Sequence, residues 1–285
     1  MPAEPPVASP ASLTEAYDLL ASDVWRPVAG GTDLLVQITG ELAEPPARVL
    51  DLWRLDELRG IERRDGMLAI GALTTYSELR NDAGVAELLP VLAEAAATIG
   101  AAQIQNRGTI GGNVMNASPA GDTLPLLLAC DAQLVLGSAR GERSVAAEAF
   151  WTGYRETARR PDELLLRIDL PVVPERQVRF RKVGTRRAQA ISKVVMALAW
   201  RTDTARAPWR EVRLALGSVA PTPVRAPDTE RRLEGAGPTE DTAAAAAAAL
   251  VEEIEPIDDV RSTAAYRRAA AGRVLHRLIR DEGGW

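Results

Sequence analysis

Two glycine pairs in the sequence have the residue types needed to bind phosphate groups. One lies in Ala29–Asp33 (AGGTD) and the other in Thr109–Asn113 (TIGGN). Because glycine has no Cβ, consecutive backbone N–H groups can turn toward an anion and bind phosphate oxygens without a positive side chain. Threonine hydroxyls and the Asn113 amide add donors. Two such segments facing each other would suit a diphosphate, although each pair could equally form only a tight turn.

Two charged residues could contact a nucleotide beyond its phosphates. Asp122 follows the second segment and precedes an apolar run, so its carboxylate could accept ribose hydroxyls or could cap a helix. Lys182 lies in FRKV, where a lysine is either a cofactor contact or a solvated strand residue. Residue type and spacing leave both alternatives open for each residue.

The cysteine and histidine content restricts the chemistry that this chain can perform alone. Cys130 is the single cysteine, which excludes an internal disulfide and an iron–sulfur cluster held by this chain alone, since such clusters take about four cysteines. His276 is the single histidine, so the sequence contains no zinc-like set and no Ser/His/Asp set of obvious spacing. Redox chemistry would therefore need an organic cofactor.

Charge and hydropathy exclude other classes of protein. The 34 basic and 39 acidic residues are spread along the chain and leave a net charge of -5, with no basic stripe for nucleic acid. The first residues, MPAEPPVASPAS, lack the basic and apolar regions of a signal peptide. No window approaches the roughly 18 apolar residues of a membrane span. We therefore expect a cytoplasmic protein without a nucleic-acid partner.

The 285 residues, 46% of them hydrophobic, are enough for two domains, and the first part shows mixed helix and strand signals. Periodicity and turn signals predict helices over 13–21, 90–99 and from 122 or 123 to 129, and strands over 26–29, 49–52, 60–64, 67–72, 133–136 and 164–170. Asp65-Gly66 predicts a tight hairpin turn, and Thr75 with Glu78 a helix cap. Residues 101–121 lose periodicity, so we predict a long ligand-binding loop that is not a packed element.

The last part has a different pattern. Residues 171–175 have the composition of a linker. They precede three strand signals over 178–183, 191–201 and 211–219, and then helix signals near 239–253 and 263–280. A meander followed by helices is an α+β pattern and indicates a separate C-terminal domain.

Six segments together resemble the FAD-binding (medium) subunit of the molybdenum hydroxylases, of the xanthine dehydrogenase and carbon monoxide dehydrogenase flavoprotein type. They are RPVAGGTDLL (26–35), IGALTTYSEL (70–79), IGAAQIQNRGTIGGNVMNASPAGDTLPLLLA (99–129), GYRETARRPDELLLRIDLP (153–171), FRKVGTRRAQAISKV (180–194) and STAAYRRAAAGRVLHRLI (262–279). The resemblance implies an α+β protein with a p-cresol-methylhydroxylase-type FAD-binding fold of two α/β subdomains. A C-terminal α+β domain of carbon monoxide dehydrogenase flavoprotein type would follow. The implied boundaries are 1–172 for the FAD-binding domain (subdomains about 1–55 and 56–172) and 176–285 for the C-terminal domain.

The same resemblance implies noncovalent FAD and a set of cofactor-binding residues, with no catalytic side chain or metal ligand in this chain. The implied set is Ala29, Gly30, Gly31, Thr32, Asp33, Leu34, Thr109, Ile110, Gly111, Gly112, Asn113, Asp122, Ile168 and Lys182. The glycine segments would hold the diphosphate and Asp122 the ribose. Lys182 would lie near the pyrimidine end of the isoalloxazine, with Ile168 and Ile99 beside the ring. Gln189-Ala190 departs from the acidic residues of many relatives, so no role is carried over there.

The resemblance also implies partners. A large molybdopterin-binding subunit would oxidise the substrate, and a small ferredoxin-like [2Fe-2S] subunit would pass electrons to the FAD, which would reduce NAD or another acceptor. We expect a heterotrimer doubled by two-fold symmetry. Two alternatives stay open: a stand-alone flavin reductase of the same fold, such as the enolpyruvyl reductase of peptidoglycan synthesis, and a flavin-free assembly subunit in which the glycine segments are only turns.

Overall fold

The computed structural model describes residues 5–40, 44–186, 189–204 and 207–285. The first four residues of the expected domain 1–172 and part of the segment 180–194 lie outside the described residues. In the described residues the three main sheets have three, five and four strands, and a separate hairpin has two strands. The three main sheets follow one another along the chain, and the hairpin lies between two strands of the second sheet.

The N-terminal sheet is parallel, with strand order β1-β3-β2. Its elements are β1 (Val7–Ala8), α1 (Leu13–Ser22), β2 (Arg26–Val28), α2 (Leu34–Thr39) and β3 (Val49–Asp51). Ser12 caps α1 by accepting a hydrogen bond from the Glu15 amide, which confirms the predicted opening helix. The unit β2–α2–β3 connects two parallel strands through a helix, and its strands lie within the predicted ranges 26–29 and 49–52.

The second sheet is antiparallel, with strand order β4-β5-β10-β6-β7. Its strands are β4 (Ile61–Arg64), β5 (Met67–Gly71), β6 (Gln133–Ser138), β7 (Gly141–Ala146) and β10 (Leu164–Pro171). The hairpin β4–β5 turns at Asp65 and Gly66, with φ of 49° and 74°, which confirms the predicted turn. Strand β7 was missed because its residues, GERSVA, are mostly exposed and show no apolar alternation.

Short elements cover this sheet and lead to the C-terminal domain. They are α3 (Tyr76–Asn81), α4 (Ala83–Leu88), α5 (Pro90–Ala97), α6 (Ala102–Arg107), α7 (Ile110–Asn116), α8 (Leu124–Ala129), α9 (Ala147–Phe150), β8 (Trp151–Gly153) and β9 (Glu156–Thr157). Thr75 and Glu78 form the predicted capping box at α3.

The predicted long loop over residues 101–121 is wrong, because α6 and α7 occupy most of it. Thr109 caps α7 by accepting the Gly112 amide at 3.0 Å. Gly111 is buried, and a Cβ there would lie 2.5 Å from the Ala72 carbonyl oxygen. A glycine that packs through its backbone adds nothing to a hydrophobic pattern, so the helical periodicity was invisible in the sequence.

The C-terminal domain is an antiparallel sheet with strand order β11-β12-β13-β14, flanked by helices. Its elements are β11 (Arg176–Val183), β12 (Val194–Arg201), β13 (Arg210–Gly217), β14 (Val224–Arg225), α10 (Pro227–Leu233), α11 (Glu240–Glu253) and α12 (Ala264–Gly283). The predicted meander and its two long helices are confirmed. The middle strand begins at Val194 and not at residue 191, and just before it the Ser192 hydroxyl donates to Asp122 in the preceding part of the chain.

The two faces of the C-terminal sheet pack in different directions. Side chains such as Val195, Ala197 and Ala215 join the core that contains the second sheet and its helices. The opposite face, with Met196 and Leu198, packs with residues of the C-terminal helices α10, α11 and α12. The C-terminal domain is therefore joined to the preceding part of the chain by a continuous apolar core.

None of the helices in the described residues is both long enough and apolar enough to cross a lipid bilayer.

Candidate functional site

A cleft of about 540 Å³ lies where the N-terminal sheet faces the helices of the second sheet. Both glycine segments line it. The expected cofactor-binding residues on its wall are Ala29, Gly30, Gly31, Thr32, Asp33, Leu34, Thr109, Gly111, Gly112 and Asn113, together with Ile99. The volume and the shape are those of a site for a sizeable organic ligand.

The first glycine segment presents its backbone to the cleft. In the described part of the chain, the amides of residues 30–34 have no hydrogen-bond acceptor. Gly31 has a φ of +73°, and a Cβ on Gly30 would collide with the carbonyl oxygen of Arg107 at the end of α6. The first glycine is needed for close packing and the second for its backbone conformation. Free amides in a tight turn are the donors of an anion-binding nest.

The second glycine segment uses its amides internally. The N–H groups of Ile110 and Gly111 donate to the carbonyls of Thr74 and Ala72, each at 3.0 Å. Those of Gly112 and Asn113 donate to the Thr109 hydroxyl and carbonyl, at 3.0 and 3.1 Å. The row of free amides expected from this sequence is therefore absent among these described residues.

The second glycine segment contributes two features to the cleft: the exposed backbone at Gly112, which has no side chain, and the side chain of Asn113. Gly112 is exposed, and a Cβ built there meets only the Thr109 hydroxyl, at 2.9 Å. The Asn113 Oδ1 accepts from the Thr123 hydroxyl at 2.8 Å, which leaves the side-chain nitrogen Nδ2 of Asn113 as a donor. Ile110 does not line the cleft, because its side chain is fully buried in the core.

Asp122 and Lys182 form a buried ion pair next to the cleft wall. Lys182 Nζ lies 2.5 Å from Asp122 Oδ2 and 3.0 Å from the Thr98 carbonyl oxygen. The Ser192 hydroxyl donates to Asp122 Oδ1. Burial raises the pKa of Asp122 above its usual value, although the charge of Lys182 and the hydrogen bonds from Lys182 and Ser192 oppose that rise. Asp122 does not cap α8, whose N-cap residue, Thr123, makes no capping bond with its side chain.

Asp122 and Lys182 do not line the cleft themselves, but residues next to their hydrogen-bond partners do. Thr98, which accepts from Lys182, is followed by Ile99, and Ser192, which donates to Asp122, is preceded by Ile191. Both isoleucines line the cleft. Ile168 lies on the central strand β10, fully buried in the core, and does not line the cleft.

The cleft wall also includes residues outside the predicted set, among them Arg26, Arg155, Arg159 and Ile191. Arg155 donates to Asn116 Oδ1 at 2.7 Å and lies 3.8 Å from Asp33. Burial lowers the pKa of Arg159, and the nearby charge of Arg26 adds to this effect. These arginines make the cleft basic in an acidic chain, which suits a diphosphate ligand. The arginine-rich run YRETARR was the available signal.

Comparison with known proteins agrees with this geometry. Residues 3–173 match the family described as FAD binding domain in molybdopterin dehydrogenase, and residues 179–281 match the CO dehydrogenase flavoprotein C-terminal domain. The two matches confirm the expected fold class.

Relatives match along nearly the full length. The carbon monoxide dehydrogenase medium chain of Hydrogenophaga pseudoflava is 34% identical, over 95% of this chain and 94% of its own. The xanthine dehydrogenase FAD-binding subunit of Escherichia coli O157:H7 is 33% identical over 96% of each chain. A chain of quinoline 2-oxidoreductase from Pseudomonas putida 86 superposes with a TM-score of 0.91 at 30% identity, over 99% of this chain and 98% of that one.

The free amides, the basic cleft and these matches lead to one identification. The chain belongs to the family of FAD-binding subunits of the molybdopterin dehydrogenases, and it is the FAD-binding subunit of an oxidoreductase.

Proposed function

We propose that this chain is the electron-transfer subunit of a molybdenum hydroxylase, taking electrons from iron–sulfur clusters of a partner subunit and passing them to NAD or another acceptor. Bound FAD supplies the ability to collect electrons singly and deliver them in pairs. The observation that carries the proposal is the set of free amides of residues 30–34 on the wall of a basic cleft. The protein's own task is to hold and tune the flavin.

We assign the FAD diphosphate to the first glycine segment, Ala29–Leu34, where the unpaired amides and the Thr32 hydroxyl are the donors. The second segment, Thr109–Asn113, would face it with the Cβ-free surface of Gly112 and the side-chain amide of Asn113. Ile110 would act from the core by anchoring α7. In this arrangement one segment binds the phosphates and the other leaves room for them.

Asp122 and Lys182 retain the capacity to bind the cofactor although they bind each other. Each carboxylate oxygen can accept a further hydrogen bond, and the Lys182 ammonium uses two of its three hydrogens, toward Asp122 and the Thr98 carbonyl. We assign Asp122 to a ribose hydroxyl and Lys182 to the pyrimidine end of the flavin, where a cation stabilises the charge that develops on reduction. Ile99 would contact the ring, and Ile168 would support that wall from the core.

The partners follow from the residues that this chain contains. One cysteine is too few for an iron–sulfur cluster, which needs about four. We therefore place molybdopterin on a large subunit and [2Fe-2S] clusters on a small ferredoxin-like subunit, in a heterotrimer doubled by two-fold symmetry. Cys130 is buried and free, which suits a reducing compartment, and we place the complex in the cytoplasm. The domain boundaries 1–172, with subdomains about 1–55 and 56–172, and 176–285 belong to the same proposal.

The decisive experiment is to purify the chain alone and together with its neighbouring gene products. Alone, it should carry one FAD that acid precipitation releases completely, and it should pass electrons only between a pyridine nucleotide or artificial donor and a dye. Oxidation of an organic substrate should require a molybdopterin subunit and a ferredoxin-like subunit. Flavin retained on the acid pellet, or hydroxylation by the metal-free chain alone, would contradict the proposal.

The same preparation separates the two alternatives. A stand-alone reductase would reduce its own substrate without partners. A flavin-free assembly subunit would be colourless and would gain no stability from FAD, whereas a ligand at one hundred times its dissociation constant stabilises a fold by roughly 2.7 kcal/mol. Equal melting temperatures with and without FAD would therefore support the assembly subunit.

A further inference from the structure

Ser192 is a residue of the C-terminal domain that reaches the Asp122 carboxylate in the FAD-binding domain. Its side chain is 1% exposed, and its hydroxyl donates to Asp122 Oδ1 while Lys182 binds Oδ2. Both donors to the carboxylate therefore come from the C-terminal domain. The contacts span 70 and 60 residues of sequence.

The segment around Ser192 is held in place by its own domain. The Ser192 carbonyl accepts from the Ser218 hydroxyl at 3.0 Å, and the Lys193 amide donates to the Val183 carbonyl at 2.8 Å. The buried guanidinium of Arg267 on α12 donates to the Lys193 carbonyl at 3.0 Å. With its backbone fixed in this way, the Ser192 hydroxyl reaches Asp122 from a rigid support, and Ile191 is held at the cleft.

We propose that Ser192 is a positioning residue for the FAD site: its hydroxyl fixes the orientation of the Asp122 carboxylate, so that FAD affinity depends on the docked C-terminal domain. The inference rests on the proposed role of Asp122 toward FAD. A carboxylate next to a cleft accepts hydrogen bonds from cofactor hydroxyls most strongly when it is ionised and oriented toward them. Ser192 supplies one of the two side-chain hydrogen bonds that favour the ionised form and oppose the rise in the pKa of Asp122 on burial.

The surroundings of Asp122 determine the sign of the pH dependence. Among the described residues, Lys182 from β11 is the charged group that faces Asp122, and Tyr76 from α3 is a titratable neighbour that burial keeps protonated by raising its pKa. Removing the Ser192 hydroxyl removes a bond to the ionised form, so the pKa of Asp122 rises further. The carboxylate then takes up a proton at a higher pH than in the wild type, and FAD affinity falls on the acidic side.

The test measures the FAD dissociation constant of the full-length apo-protein by fluorescence titration, from neutral to acidic pH, for wild type, Ser192→Ala and Ser138→Ala. Ser138 is a matched control, because it is 6% exposed and its hydroxyl accepts the Arg140 amide at the far end of β6. We expect Ser192→Ala to bind FAD about ten-fold more weakly, as for a lost hydrogen bond to a charged group. Its affinity should begin to fall at a higher pH than that of the wild type. Ser138→Ala should match the wild type at every pH.

A double-mutant cycle with Asp122→Asn distinguishes positioning from general destabilisation. In the Asp122→Asn background the titrating group is gone, so Ser192→Ala should add no further pH dependence. Wild-type affinity and pH profile in Ser192→Ala, or an equal loss in Ser138→Ala, would overturn the inference while leaving FAD binding intact. A wild-type apo-protein that binds no FAD would instead refute the proposed function.

Discussion

The segments Ala29–Asp33 and Thr109–Asn113 each contain two consecutive glycines, a threonine and a terminal polar residue, and both line the same cleft. In the first, the described structure shows no acceptor for the amides from Gly30 onward. In the second, the four amides after Thr109 all have acceptors inside the protein. The same residue types therefore produce a donor surface in one place and a closed helix start in the other.

The cause of the difference lies in what each segment packs against. The Thr109 hydroxyl and carbonyl accept two amides at the start of α7, and the carbonyls of Ala72 and Thr74 accept the other two. Asp33, the N-cap residue of α2, makes no capping bond with its side chain, and no acceptor in the described residues takes the amides of residues 30–34. A glycine pair thus permits a close approach to phosphate, and the neighbouring acceptors decide whether donors remain for it.

The largest expected effect is that of Gly30→Val in the first segment. The added side chain would collide with the Arg107 carbonyl, which is backbone and cannot rotate away. We expect a loss of about 3 kcal/mol of unfolding free energy in the apo-protein, and loss of measurable FAD binding. Denaturant unfolding and FAD titration would measure both. Wild-type behaviour in both assays would show that the first segment is not packed against α6.

Gly112→Val in the second segment should affect binding much more than folding. Its Cβ would meet only the Thr109 hydroxyl, at 2.9 Å, and would otherwise point into the space assigned to the diphosphate. We expect FAD affinity to fall at least ten-fold, or about 1.4 kcal/mol, with a much smaller change in apo-protein stability. Undiminished flavin occupancy in the purified variant would remove the diphosphate from this wall.

Thr109→Ala should have the smallest effect and sharpens the comparison most directly. It removes the cap of α7 and frees the Gly112 amide, which makes the second segment more like the first. We expect a loss of about 1 kcal/mol of unfolding free energy and only a small change in FAD affinity. A large loss of affinity without a loss of stability would mean that the Thr109 hydroxyl contacts the cofactor and does not mainly cap the helix.

Several local features could be predicted because they depend on neighbouring residues. The tight turn at Asp65 and Gly66, the cap formed by Thr75 and Glu78, and the strand signals of β11 to β13 were all readable in the sequence. The order of the six characteristic segments also predicted the family and the FAD, which the family matches confirmed. Turn, cap and strand preferences are set within a few residues, so sequence alone determines them.

The tertiary structure decided how the site residues are used. Helix α7 has a buried glycine, Gly111, where a helical pattern would need an apolar side chain, and the buried residue of the six-residue helix α6 is the polar Gln105, so their sequence resembled a loop. The free amides of the first segment depend on which acceptors lie nearby, and the contacts of Asp122 with Lys182 and Ser192 join residues 60 and 70 positions apart. Such contacts depend on how the two domains pack, and no local pattern of residues encodes that packing.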